Sequence, residues 1–215
     1  PDTWTNEASE EEKVAWQKFS QKPSTPYLLT IGRASYMKGS LEALKIANAC
    51  NLTLVHVGGG ATHELKKHAN RLNVDLHIMP MISDLELVAL MRHSIALLAI
   101  ARGEGFGLTP LEAMMIGTPA LVVDEAGFTH TVTDGYNGRR LAWPNSPETL
   151  ESWVQAVEES KNKDLSNKWS NNGRKRLIER WTPEHQAEAV ARSFKNMGVR
   201  VLTTDLEILP GLDPA

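Results

Sequence analysis

The stretch RGEGFGLTPLEAMMIGTP, residues Arg102–Pro119, decides the fold of this chain. Apolar runs at Ile95–Ile100 and Ala120–Val123 flank it, and each is short enough for a buried strand. Between them, three glycines crowd one loop, and TPLE at 109–112 predicts a helix start with Thr109 as N-cap, proline at the first helical position and a capping-box glutamate. Such a turn directs backbone N–H groups and the positive end of the helix dipole at one place, which favours an anionic ligand.

Two carboxylates flank this predicted anion site. Glu104 lies in the glycine loop and Glu112 in the first turn of the helix, eight residues further on. Because carboxylates accept hydrogen bonds from hydroxyl groups, the two acids are expected to contact hydroxyls at the ends of a ligand and not its phosphates. A nucleotide sugar, with phosphates in its middle and hydroxyls at both ends, would satisfy the backbone amides and both acids together.

The rest of the chain alternates strands with helices. Besides the two strands already named, strands are predicted at Tyr27–Ile31, Leu52–Val57, Val74–Met79 and Arg139–Ala142. Helices are predicted at Thr5–Gln21 (at the periphery, capped by Thr5 or Asn6), Ser40–Ala49, Glu64–Leu72, Asp84–His93, Pro147–Ser160, Leu165–Arg180 and Pro183–Asn196. Alternation of this kind indicates right-handed crossovers, so we expect an α/β fold: a Rossmann-like parallel sheet with helices on both faces.

Composition excludes several classes of protein. A net charge of −3 over 215 residues argues against a nucleic-acid partner. The only cysteine, Cys50, cannot form a disulfide within the chain. No apolar run approaches the roughly 20 residues that span a bilayer, and the first residues do not resemble a secretion signal. We therefore expect a cytoplasmic location. The histidines lack metal-ligand spacing, so we expect no metal and no cofactor.

The central segment EGFGLTPLEAMMIGTPALV resembles the E-x7-E segment of the retaining glycosyltransferases of group 1 (family 4), which have the GT-B fold. The resemblance extends over about Tyr27 to Leu141 and implies the C-terminal, donor-binding half of such an enzyme. We expect four segments: an N-terminal helix and linker at 1–22, a Rossmann-like nucleotide-sugar-binding domain at 23–161, C-terminal helices that pack on it at 162–197, and a tail at 198–215.

The resemblance assigns catalytic roles to three side chains. Gly32-Arg33 and Lys38-Gly39 match the family's G-R-x4-K-G pattern, so Arg33 and Lys38 would neutralise the diphosphate leaving group. Glu104 would hold the hydroxyls of the donor sugar. From the residues alone, a loop arginine and lysine are more often solvated surface residues, and Glu104 would be an ordinary loop acid.

The resemblance also implies donor contacts by Gly32 and Gly58 in the turns after two strands, by the main chain of Gly105, Phe106, Gly107 and Leu108, by Glu112 on the ribose, and by Met81 and Ile82 near the base. Ordinary alternatives remain for several of these residues. Glu112 would serve equally as the capping-box acid, and the four apolar side chains would serve as core packing. His130 stands near a position where the family has an acid, which leaves open an altered donor preference or an exposed loop histidine.

The implied function is transfer of a hexose from a UDP-, GDP- or ADP-sugar, with retention at the anomeric carbon. The partners would be this donor and a sugar, glycan or lipid-linked acceptor, which would bind through an N-terminal domain that this sequence does not contain. Peripheral membrane association of the full-length enzyme stays open. Two alternatives also stay open: a non-catalytic module that binds nucleotide sugars, and a GT-B-fold UDP-GlcNAc epimerase.

Overall fold

Six parallel strands form one sheet in the computed structural model, which describes residues 7–180 and 185. The sheet has the order β3-β2-β1-β4-β5-β6. Its strands are β1 (Tyr27–Ile31), β2 (Thr53–Val57), β3 (Leu76–Met79), β4 (Ala96–Ala99), β5 (Ala120–Val123) and β6 (Arg139–Leu141). This order and direction confirm the expected Rossmann-like architecture.

Two groups of helices cover the sheet. The helices are α1 (Glu10–Lys18), α2 (Ser40–Cys50), α3 (Thr62–Leu72), α4 (Asp84–His93), α5 (Leu108–Ile116), α6 (Phe128–Thr131), α7 (Pro147–Lys161) and α8 (Lys163–Arg180). Helix α2 packs with α3 and α7, whereas α4 packs with α1 and α5. Because both faces of the sheet are covered, its central strands are mostly apolar, and β5 is buried at every position.

The order in which strands are added to the sheet reverses at β1. Strand β2 lies on one side of β1 and β4 on the other, with Leu28 of β1 opposite both Leu54 and Ala96. The loop after β1 therefore runs toward one side of the sheet, and the loop after β4 toward the other. A crevice forms between such loops at the carboxyl ends of the strands, which is where open α/β sheets bind ligands.

The start of α5 differs from the sequence-based expectation. The N-cap is Gly107, with a left-handed φ of +84° and no side-chain hydrogen bond, and Thr109 lies inside the helix. The predicted cap at Thr109 and its capping-box bond to Glu112 are therefore wrong. Phe128 explains the earlier start, because a Cβ on residue 107 would lie 2.7 Å from its ring. Only glycine allows both this packing and the left-handed turn.

The N-terminal helix α1 is tied to the domain more firmly than a peripheral helix would be. Ser9 caps it, later than the predicted Thr5 or Asn6. Glu12 is 2% exposed and binds Arg92 of α4 through both carboxylate oxygens, at 2.6 and 2.9 Å. The short helix α6 was not predicted. The helix predicted at Pro183–Asn196 and the tail at 198–215 lie outside the described residues, apart from His185.

Candidate functional site

The crevice at the carboxyl ends of β1 and β4 collects side chains from several separate segments. Four of the predicted site residues line it: Arg33, Lys38, Glu104 and Gly107. The other predicted residues do not line this crevice: Gly32, Gly58, Met81, Ile82, Gly105, Phe106, Leu108 and Glu112. The two cations and the first acid of the predicted site therefore share one crevice.

Close backbone packing brings the loop after β1 against the loop after β4. Gly39 has a left-handed φ of +56°, and a Cβ there would lie 2.4 Å from the side chain of Ile100. The amide of Arg102 donates a hydrogen bond to the carbonyl of Met37 at 2.8 Å. These contacts hold Lys38, on the first loop, beside Glu104 on the second.

Lys38 and Glu104 form an ion pair across the crevice. The Nζ of Lys38 lies 2.6 Å from Oε2 of Glu104. This hydrogen bond, together with the charge of Lys38 and the backbone amides of Phe106 and Gly107, lowers the pKa of Glu104. The Glu104 carboxylate therefore accepts from backbone amides of the glycine loop, which were predicted from the sequence to face the phosphates of the ligand. An anionic ligand must compete with it or share its donors.

Arg33 is exposed at the mouth of the crevice and makes no hydrogen bond or ion pair with the described residues. Its guanidinium thus keeps all its donors for a ligand. The preceding Gly32 packs against the turn after β2, where Gly58 has a φ of +138° and a Cβ would lie 2.0 Å from the carbonyl oxygen of Gly32. Gly58 therefore has a structural reason to be glycine, and its contact with a donor stays a prediction.

Glu112 lies in α5, partly buried and without a hydrogen bond or ion pair to the described residues. Burial raises the pKa of its carboxyl group. With no capping role, this acid has an unused acceptor, and its assignment to a ribose stays a prediction. Core packing does not account for Leu108 or Met81, which are 63% and 88% exposed, although Phe106 and Ile82 are partly covered.

The crevice is also lined by several polar and aromatic residues for which the sequence did not predict a place in the site. His56 of β2 is 2% exposed, and its Nδ1 lies 2.9 Å from Oγ1 of Thr30 on β1. Burial lowers the pKa of His56, partly offset by the backbone of Gly59. Thr109 and Phe128 also contribute to the lining. The available signal in the sequence is a histidine in an otherwise largely apolar strand, but such a histidine has no metal-ligand spacing that would mark it as functional.

In residues 7–180 and 185, no group of three His, Cys, Asp or Glu side chains is placed to hold a metal ion. Within the same range, no helix is both long enough and apolar enough to cross a bilayer. His130, which stands near a position where the resembled family has an acid, lies exposed on α6.

Residues 12–176 match the sequence profile of the family described as "Glycosyl transferases group 1". The Alpha-1,3/1,6-mannosyltransferase alg-2 of Neurospora crassa is 29% identical over 117 residues, which are 50% of this chain and 24% of that protein. The O-antigen chain mannosyltransferase C of Escherichia coli is 24% identical over 176 residues, 80% of this chain and 47% of that protein.

Among solved structures, Anabaena Alr3699/HepE in complex with UDP superposes with a TM-score of 0.71 at 18% identity, covering 91% of this chain and 55% of that one. At this identity the superposition supports the fold alone. The chain thus spans about half, or less, of the length of the proteins that it matches.

Proposed function

This chain belongs to the glycosyl transferases of group 1, and we propose that it binds the nucleoside-diphosphate sugar from which such an enzyme transfers a hexose. The chain would be the donor-binding half of a retaining hexosyltransferase. A sugar, glycan or lipid-linked acceptor would reach it through a further domain. The mannosyltransferase relatives favour mannose as the hexose, and the Anabaena structure with UDP illustrates a nucleotide bound to this fold.

One observation carries the proposal: Arg33, which has no partner among the described residues, shares one crevice with the Lys38–Glu104 pair at 2.6 Å. This crevice lies at the carboxyl ends of β1 and β4, where the strand order reverses. A diphosphate leaving group gains negative charge as the glycosidic bond breaks, and fixed cations stabilise that charge in the transition state. Arg33 and Lys38 would provide this stabilisation. Glu104 would then accept hydrogen bonds from the sugar hydroxyls and orient the anomeric carbon.

Retention would follow from attack on the same face as the departing phosphate. The bond between the anomeric carbon and the phosphate oxygen breaks, the acceptor oxygen bonds to that carbon, and the departing phosphate takes the acceptor's proton. No carboxylate acts as a nucleophile, which distinguishes this scheme from that of retaining glycoside hydrolases. Because Arg33 and Lys38 neutralise the phosphates, the step needs no divalent cation.

Thermal unfolding in the presence of UDP-glucose, GDP-mannose and ADP-glucose tests this proposal. A donor at about 100 times its Kd should stabilise the native state by about 2.7 kcal/mol, or roughly 5–11 °C for a domain of this size. Arg33→Ala removes charge-assisted hydrogen bonds and should raise the Kd about 10- to 150-fold.

Arg71→Ala is the matched control, since Arg71 is also exposed and without a partner among the described residues, but lies on α3. This variant should respond to the donor as the wild-type chain does. Equal shifts for the wild-type chain and for Arg33→Ala would contradict the proposed site. The absence of a shift with all three donors would contradict the proposed function.

A further inference from the structure

Four loops at the carboxyl edge of the sheet bring a second group of side chains together outside the crevice. Tyr36 follows β1, Arg102 follows β4, Glu125 follows β5 and Trp143 follows β6. We call these four residues the rim cluster. None of them lines the crevice that contains Lys38 and Glu104.

Stacking and charge fix the geometry of the rim cluster. The guanidinium carbon of Arg102 lies 4.0 Å from the ring centroid of Trp143, a cation–π contact that covers the indole from one side. The ring of Tyr36 is tilted at 54° to that of Trp143, with 6.5 Å between centroids. Arg102 is also paired with Glu125, at 3.6 Å between Nη1 and Oε2. The indole is thus held in place while the tyrosine ring projects from the cluster.

The rim cluster has aromatic surface and hydrogen-bonding groups that the described residues do not use. Tyr36 is 69% exposed, although it belongs to a loop that is otherwise tied to its neighbours. Neither its hydroxyl nor the indole N–H of Trp143 makes a hydrogen bond with the described residues. The carboxylate of Glu125 is partly used, since it pairs with Arg102 and accepts a hydrogen bond from the amide of Gly103 at 3.3 Å. Its side chain is 37% exposed, so the carboxylate can still accept from a ligand on the solvent side. The cluster therefore offers an apolar face, two donors and an acceptor.

We propose that the rim cluster binds a pyranose ring of the acceptor. A pyranose has a face of C–H groups that stacks on an aromatic ring, and hydroxyls around its edge that need both donors and acceptors. A purely apolar ligand would leave the hydroxyl and the indole N–H without partners and would cover the open side of the Glu125 carboxylate, which is costly. The proposal rests on the proposed function, because only a sugar-transferring enzyme needs a second sugar at this edge.

The position of the rim cluster suits an acceptor. Tyr36 precedes Lys38 by two residues, and Arg102 precedes Glu104 by two, so the cluster adjoins the ion pair assigned to the donor. Lys38 and Glu104 would contact the diphosphate and the donor sugar. A ring stacked on Tyr36 would lie next to that sugar, where a hydroxyl can approach its anomeric carbon.

Saturation-transfer NMR on the 215-residue chain with α-1,3-mannobiose tests the proposal. With the wild-type chain and with Tyr36→Phe, saturating the protein should attenuate the signals of the sugar's C–H protons, because both proteins retain the aromatic ring. Tyr36→Ala should reduce the effect at least about fivefold, as expected for loss of an aromatic stacking contact. Tyr136→Ala, a truncation of another exposed tyrosine in the turn before β6, should leave it unchanged.

Titration of GDP and UDP into the same variants separates this proposal from the proposed function. Tyr36→Ala should keep the nucleotide affinity of the wild-type chain within about twofold, since its ring lies outside the crevice. Loss of nucleotide binding in Tyr36→Ala would place the ring in the donor site and overturn the inference. The inference also fails if mannobiose shows no transfer with the wild-type chain, or the same transfer with Tyr36→Ala. A wild-type chain that binds mannobiose but no nucleotide would instead contradict the proposed function.

Discussion

Replacing Glu104 by glutamine should strengthen binding of the diphosphate part of the donor and weaken binding of its sugar. The carboxylate holds Lys38 at 2.6 Å, so a diphosphate must compete with it for this cation. Glutamine keeps the shape and a hydrogen-bonding oxygen but removes the charge. We therefore expect Glu104→Gln to bind GDP more tightly than the wild-type chain does. We also expect the ratio of its affinity for GDP-mannose to its affinity for GDP to be lower than in the wild-type chain.

The exposure of the ion pair sets the magnitude of the first effect. The side chains of Lys38 and Glu104 are 44% and 25% exposed, so solvent screens their attraction. Pairs of this kind contribute about 0.2–1 kcal/mol. Releasing Lys38 should thus tighten GDP binding by at most roughly fivefold, and the free energy of unfolding should fall by no more than about 1 kcal/mol. Loss of a charged acceptor for the sugar hydroxyls should weaken GDP-mannose about tenfold or more relative to GDP.

Isothermal titration of GDP and GDP-mannose at pH 7.5 measures both effects, with UDP and UDP-glucose as a second pair. Glu151→Gln is the control, because Glu151 is exposed on α7, away from the crevice. If Glu104→Gln weakens GDP as much as GDP-mannose, the carboxylate does not distinguish the sugar from the diphosphate. A loss of more than about 2 kcal/mol in unfolding free energy would show that the pair is structural, since exposed pairs contribute less than that.

Three further predictions concern stability. Glu12→Ala leaves Arg92 without its buried carboxylate, so urea unfolding should show a loss of about 3–5 kcal/mol; a loss below about 1 kcal/mol would contradict the role given to α1. Burial lowers the pKa of His56 below its ordinary value of about 6.5, so the native state favours the neutral ring and stability should fall as the pH drops below that value. In His56→Asn, unfolding stability should depend less on pH than in the wild-type chain, and an unchanged profile of stability against pH would contradict this assignment to His56. Gly127→Ala would place a Cβ 2.6 Å from the backbone of Gly105 and should cost about 1–3 kcal/mol in thermal unfolding, whereas Gly105→Ala meets open space and should cost less than about 1 kcal/mol; equal losses would refute this packing argument.

Local patterns in the sequence were sufficient to predict the sheet. Helix α4 and strand β5 have the predicted bounds, Asp84–His93 and Ala120–Val123, because each is bounded by strong local signals. The start of α5 was predicted wrongly because Thr109 and Pro110 form a good local cap, while the deciding contact joins Gly107 to Phe128, twenty-one residues further along the chain. Local capping rules do not contain such tertiary contacts.

The candidate site was predictable only in part, for a similar reason. The resemblance identified Arg33, Lys38 and Glu104, and the topology then brought them to one crevice. The pairing of Lys38 with Glu104 was not predictable, because 66 residues separate them and their contact depends on how two loops pack. His56 was missed because its value as a lining residue depends on its register opposite Thr30 across two strands.

The most direct test of the central claim is an amide NMR titration of the 215-residue chain with GDP and UDP. If the crevice between β1 and β4 binds the diphosphate, the largest saturable shifts will fall on the amides of Arg33 and of residues 105–108. The groove at the opposite edge of the sheet, lined by Asn51, Asn73 and Asp75, provides an internal comparison. Saturable shifts centred on that groove, or no saturable shifts at Arg33 and residues 105–108, would contradict the account.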